Sequence, residues 1–169
     1  MEYRRGRQRE WLLDGCPLTA WPMNARTLEA YLRAHIPLSR GMRVRVVELQ
    51  GAQIALSAPL RPNWNHQRTA FGGSIATLGL LAGWSLIHAH LENAGIPHNL
   101  VVKCLSVDYS RPITGALTAR AELPPTANWN RFLSALKRHN KGSIVIEASL
   151  QQDDQPAAQL SATFVALTP

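Results

Sequence analysis

Acidic side chains are missing where a catalyst would be sought. Between Glu48 and Glu92 the chain carries neither Asp nor Glu. No carboxylate general base can therefore come from that stretch. Cysteine is almost absent as well, and Cys16 and Cys104 are too few and too far apart for a disulfide framework or a zinc site. No metal is expected. Long low-complexity tracts are lacking, which excludes disorder of the whole chain. The opening stretch MEYRRGRQREWLLDGC has no continuous apolar core, so no secretory leader is expected. The expectation is a cytoplasmic protein with reduced thiols.

What is present is a chain of 169 residues, 46% apolar, enough for one domain with a real core. Its formal charge is +7, which invites a nucleic-acid partner. The distribution argues otherwise. Arg4, Arg5, Arg7 and Arg9 form one knot at the start, the other basic residues are scattered, and the tryptophans are not interleaved with them. A solvated basic arm over 1–22 and a mildly basic domain over 23–169 are expected, with no nucleic acid bound. Scattered basic residues still suit a small polyanion, such as the phosphates of a coenzyme.

Periodicity orders the rest. Asn24 or Thr27 can cap a short helix with Leu28, Tyr31, Leu32 and His35 on one face, closed by Pro37 and Gly41. RVRVVELQGAQIALSAPL reads as a hairpin over about 43–60. A polar loop, RPNWNHQRTA, leads to one long helical segment from Phe71 to about Asn93, apolar in nearly every direction. Four strand candidates follow, with a short helix, RFLSALKR, between the second and third. In the last pair Ile144, Ile146, Ala148 and Leu150, then Leu160, Ala162, Phe164 and Ala166, repeat with period two. Runs of strands without alternating helices predict an antiparallel sheet in an α+β domain.

The long helix could reach across a bilayer. Gly72, Gly73, Ser74, Thr77, Ser85, His88 and His90 argue against that, as do strands that need a core. A helix sheathed by its own sheet is expected, with no membrane span. Gly79, Ala82 and Gly83 would let a neighbouring element approach closely.

Three features together resemble the hotdog-fold thioesterases, and specifically the thioesterase family that also occurs fused behind acetyltransferase domains. NHQRTAFGGSIATLGLL resembles their loop and helix start. VVKCLSVDYSRPITG resembles the strand after the central helix. The order of elements over 43–168 matches their plan: a long central helix wrapped by about six antiparallel strands, here preceded by a short N-terminal helix. The resemblance implies hydrolysis of an acyl thioester on coenzyme A or an acyl-carrier protein, with no cofactor beyond that substrate. It also implies a homodimer or tetramer with sites between subunits.

On that resemblance, Gly72 and Gly73 take the helix-start position whose N–H groups hold the thioester oxygen, and Asn65 holds the carbonyl or a water. Phe71 stands where many relatives have His, and Leu80 stands where several carry a carboxylate. An unpaired helix N-terminus stabilises an oxyanion before reaction begins. Each glycine weakens the helix by roughly 1 kcal/mol against Ala and leaves room for substrate. Thiolate is an easy leaving group, so activating water is the remaining task. Asn65, Thr77, His66 and Ser74 are the candidates. Phe71, Ser74, Arg68, Arg111 and Lys103 are candidate substrate contacts, while His88 and His90 read as structural. Without a helical carboxylate, a second reading stands beside the enzyme: a non-catalytic protein that binds acyl-CoA or a similar acyl ligand.

Overall fold

The alternation in the last two strands sets the shape of the whole sheet. In the computed structural model, which describes residues 22–169, Ile144, Ile146, Ala148 and Leu150 are buried on one face, as are Leu160, Ala162, Phe164 and Ala166. They belong to β5 (Lys141–Gln152) and β6 (Gln155–Leu167), joined through Asp153 and Asp154 with φ of 49° and 58°. Two left-handed residues match the twist of a tight antiparallel hairpin. The remaining strands are β1 (Arg45–Gln50), β2 (Gln53–Ala58), β3 (Asn99–Tyr109) and β4 (Leu117–Glu122). All six form one antiparallel sheet in the order β1-β2-β4-β5-β6-β3.

The sheet folds around α3 (Gly72–Asn93), whose Ile75, Leu78, Ala82, Leu86 and Ile87 are buried. Close approach depends on two glycines. A Cβ on Gly79 would stand 3.1 Å from both Leu150 and Leu160, and one on Gly83 would stand 3.0 Å from Phe164. By length and composition α3 could cross a membrane, yet 67% of its most apolar window is buried inside this protein. Its lack of charge is a property of the core.

Three smaller helices complete the domain. α1 (Ala25–His35) starts with a reciprocal cap: the Asn24 side chain accepts from the Arg26 and Thr27 amides, and the Thr27 hydroxyl accepts from the Asn24 amide. α2 (Pro37–Gly41) is a correction to the sequence reading, which took Pro37 as a stop. A proline at the first helical position has no N–H to waste, so the chain turns into a new helix there. α4 (Thr126–His139) contains the expected short helix and begins five residues earlier than its predicted core at Arg131. The basic arm and Cys16 lie outside the described residues.

Candidate functional site

The polar loop before α3 is built on two asparagines. Asn63 is buried, and its amide nitrogen donates to the carbonyls of Met42 (2.9 Å) and Pro59 (2.8 Å). Its own carbonyl accepts from the Phe71 amide at 2.7 Å. The Asn65 side chain closes the next turn: its oxygen accepts from the Gln67 and Thr69 amides, and its nitrogen donates to the Thr69 hydroxyl. Arg68, left-handed at φ 61°, lies over the Trp64 ring at 4.9 Å. His66 is exposed in the same turn.

This loop delivers Phe71 as the residue before α3, extended and offering no side-chain cap. The first helical bond runs from the Ile75 amide to the Phe71 carbonyl. Among the described residues, the Gly72, Gly73 and Ser74 amides donate to no protein acceptor. Three aligned N–H groups at a helix start carry partial positive charge. The Phe71 ring folds back over Gly73, where a Cβ would collide with it. Phe71 and Gly73 are exposed, so in one chain the helix start lies on the surface.

Side chains around it divide into engaged and free. The Thr77 hydroxyl donates to the Gly73 carbonyl at 2.7 Å, one turn back. The Tyr109 hydroxyl donates to the Gly72 carbonyl at 2.9 Å, tying the end of β3 to α3. The Ser74 hydroxyl is half-buried and makes no hydrogen bond among the described residues. Asp108 is next to Tyr109 in sequence and pairs opposite Gln159, so it sits on the other face of the strand.

Two predicted contacts are placed elsewhere. Arg111 donates from Nε to the Pro156 carbonyl and from Nη2 to those of Gln155 and Gln152, fastening the β5–β6 turn. Lys103 falls in a bulge, because β6 pairs Phe164 with Val102 and Thr163 with Cys104, leaving Lys103 unopposed. The bulge breaks the period-two alternation that would put Lys103 on one face with Leu105, Val107 and Tyr109. Neither residue touches the helix start. Asn63 and Tyr109 were not singled out from sequence; an Asn two positions from another Asn, and a Tyr closing a strand, carry no distinguishing signal.

The other end of α3 holds a closed aromatic cluster. His88 is 5% exposed, with its ring centroid 4.6 Å from those of Tyr31 and Trp84. His98 Nδ1 lies 2.8 Å from the Ile96 carbonyl and must donate to it, and its Nε2 lies 2.9 Å from His88 Nδ1. His88 Nε2 is buried with no hydrogen-bond partner among the described residues. Burial, then the neighbouring His98 and His35, push the His88 pKa down to about 4. Donor atoms of His88, Glu92 and His98 lie within 4.8 Å of one another. A transition metal could use them only by replacing the hydrogen bond between the two imidazoles.

A family model described as "Putative thioesterase (yiiD_Cterm)" matches residues 25–168. Among solved structures, a protein of unknown function from Chlorobaculum tepidum TLS is 25% identical, with a TM-score of 0.81 over 86% of this chain and 94% of that one. A "putative thioesterase" from Shewanella oneidensis is 28% identical, with a TM-score of 0.77 over 86% and 97%. A thioesterase from Haemophilus influenzae shares the fold at 13% identity, with a TM-score of 0.67 over 89% and 95%.

Proposed function

The chain belongs to the thioesterase family whose model spans residues 25–168, and from that premise we propose that it hydrolyses an acyl thioester at the start of α3. The observation that carries the reading is the uncapped helix N-terminus, where the Gly72, Gly73 and Ser74 amides have no acceptor of their own among the described residues. The thioester oxygen takes their place as acceptor and gains strength as it becomes an oxyanion. The Tyr109 and Phe71 rings take the sides where Cβ atoms of residues 72 and 73 would stand, and the exposed Phe71 ring supplies an apolar wall. Ser74 and His66, unengaged by neighbours among the described residues, are the side chains left to orient or deprotonate water. Asn65 and Thr77 act through the backbone they hold, one shaping the loop and the other the first helical turn.

A second copy of the chain completes the site. β3 lies at one edge of the sheet, runs for 11 residues, and exposes Val101, Val102, Leu105 and Tyr109 by 40–49%. A long edge strand with apolar side chains is a template for pairing, and Tyr109 brings this edge against Gly72. Pairing two β3 strands would set each helix start beside the partner chain, which can contribute the acid or base that the first turns of α3 lack.

Acyl thioesters of several chain lengths, assayed by thiol release, test the reading together with size-exclusion chromatography. Turnover by a dimer or larger assembly is expected. The engagement of Thr77 and Asn65, with no acid before Glu92 on α3, favours one rival: a non-catalytic acyl-ligand binder. Saturable binding without thiol release would establish the rival. Activity in a monomer would remove the shared site.

A further inference from the structure

Four arginines, Arg33, Arg40, Arg43 and Arg45, line a groove of about 480 Å³ with Ser57 at its wall. The geometry points to a phosphate-binding subsite there, which holds the carrier portion of the thioester while its carbonyl lies at Gly72 and Gly73. The inference rests on the thioesterase reading and adds the anchor for the non-reacting end of the substrate.

Charge is the first argument. Among the described residues no carboxylate lines the groove. Glu29, which pairs with Arg33, is committed: one oxygen lies 2.9 Å from that guanidinium and the other accepts from the Val46 amide at 3.0 Å. Arg40, Arg43 and Arg45 have no carboxylate within ion-pair distance among the described residues. By contrast Arg120, in a different surface groove, has both Glu48 and Asp154 beside it. Clustered guanidinium groups repel one another unless an anion joins them, and their forked donors match phosphate oxygens.

Backbone strain is the second. Arg43 ends α2 in the left-handed region at φ 57°, a place that favours Gly or Asn. A long cation is kept there although Gly would relieve the conformation. The third is position. Arg45 opens β1, Ser57 pairs with it at the end of β2, and Tyr109 closes β3, so groove and helix start share one end of the sheet. A single buried residue joins them: the Phe71 amide donates to the Asn63 carbonyl, and the Asn63 side chain donates to Met42, which precedes Arg43. The volume falls within the roughly 300–1,000 Å³ of small-molecule sites.

The ligand chemistry is phosphate on a pantetheine thioester. Its source is the nucleotide of coenzyme A or the phosphopantetheine of a carrier protein, and the assay separates them. The variant is Arg43→Asn with Arg45→Gln; neither side chain makes a hydrogen bond among the described residues, and Asn tolerates the left-handed turn. Steady-state kinetics would use one acyl group on coenzyme A, on dephospho-coenzyme A, on phosphopantetheine and on N-acetylcysteamine. KM for acyl-CoA should rise roughly ten-fold or more with kcat little changed, and the phosphate-free N-acetylcysteamine ester should be hydrolysed as before. Arg43→Lys with Arg45→Lys should recover part of the loss. If phosphopantetheine suffers as much as coenzyme A, the carrier-protein source is supported; if only coenzyme A suffers, the nucleotide is. Equal loss on the phosphate-free ester, or no loss on any phosphorylated one, overturns the subsite. Should the parent protein hydrolyse nothing, calorimetric binding of free coenzyme A and of phosphopantetheine still decides the matter. Binding weakened by the variant keeps the groove while the hydrolytic reading falls, and binding unchanged by it, or absent, removes the groove.

Discussion

The two ends of α3 are built on opposite terms. At the Gly72 end, backbone amides are left without acceptors among the described residues, and the Asn65 and Thr77 side chains are spent on fixing the loop and the first helical turn. At the His88 end, Tyr31, Trp84, His88 and His98 close on one another, and α1 is pinned to α3 through their rings. One end leaves polar groups unsatisfied toward solvent, where a ligand can satisfy them. The other leaves His88 Nε2 and Ser85 Oγ in the interior with no partner among the described residues. On the proposed function, this helix would separate chemistry from stability along its own axis. A substitution should therefore damage one and spare the other, depending on which end receives it.

The largest effect should come from Gly73→Ala. The new methyl would stand where the Phe71 ring now lies and push that wall of the proposed site aside. Thiol-release turnover should fall by about 100-fold or more, the scale of losing one oxyanion donor. Thermal unfolding should move little, because Ala favours helix by roughly 1 kcal/mol and the exposed Phe71 ring can swing aside. Equal damage to stability and turnover would break the separation.

His88→Ala should do the reverse. Emptying a buried imidazole site costs about 2–4 kcal/mol, read as a lower denaturation midpoint, while kcat on the folded protein stays within two-fold or so. A pH series sharpens this. Folded His88 stays neutral down to about pH 4, but in the unfolded chain it takes up a proton near 6.5. The unfolded state binds more protons across that interval, so stability is complete above 6.5 and declines as pH falls to about 4. The ceiling for this one group is about 3 kcal/mol. His88→Leu should flatten that part of the profile, measured by urea unfolding at each pH with His35, His90 and His98 left in place. A profile as steep as the parent's would assign the slope to those neighbours.

The sheet and the central helix were legible because their signals are repetitive. Period two in residues 144–150 and 160–166, and fourteen positions of α3 without a charge, each report burial many times over. The site was legible only where backbone geometry decides it. Gly72-Gly73 marks the start of the long helix, where three amides have no acceptor among the described residues and the Phe71 ring lies over Gly73. Side-chain roles were harder, because a polar residue near a site looks the same whether it faces substrate or its own backbone. Asn65 and Arg111 are occupied by local carbonyls, amides and hydroxyls that no spacing rule announces. Lys103 was displaced by a bulge, which shifts parity by one residue and leaves no mark in composition. The arginine groove gathers residues from α1, α2 and β1 whose adjacency exists only after α2 forms, and Pro37 had concealed that helix.

The smallest expected effect falls on the seam between edge strand and helix start. Tyr109 is half exposed, and its hydroxyl makes one hydrogen bond, to the Gly72 carbonyl at 2.9 Å. Tyr109→Phe keeps the ring and its apolar contacts and removes only that bond. The cost in stability should be about 0.5–1 kcal/mol, since the Gly72 carbonyl can turn to water. Turnover should drop by only a few-fold, because the amides that hold the oxyanion point the other way along the helix from the carbonyl that Tyr109 binds. The ratio of the two effects is the informative quantity. If Tyr109 merely braces the fold, kcat on the folded variant is unchanged. If the strand edge sets the angle at which Gly72 and Gly73 meet the substrate, kcat falls while KM for the thioester holds, and the β3 edge then belongs to the chemistry as well as to the assembly.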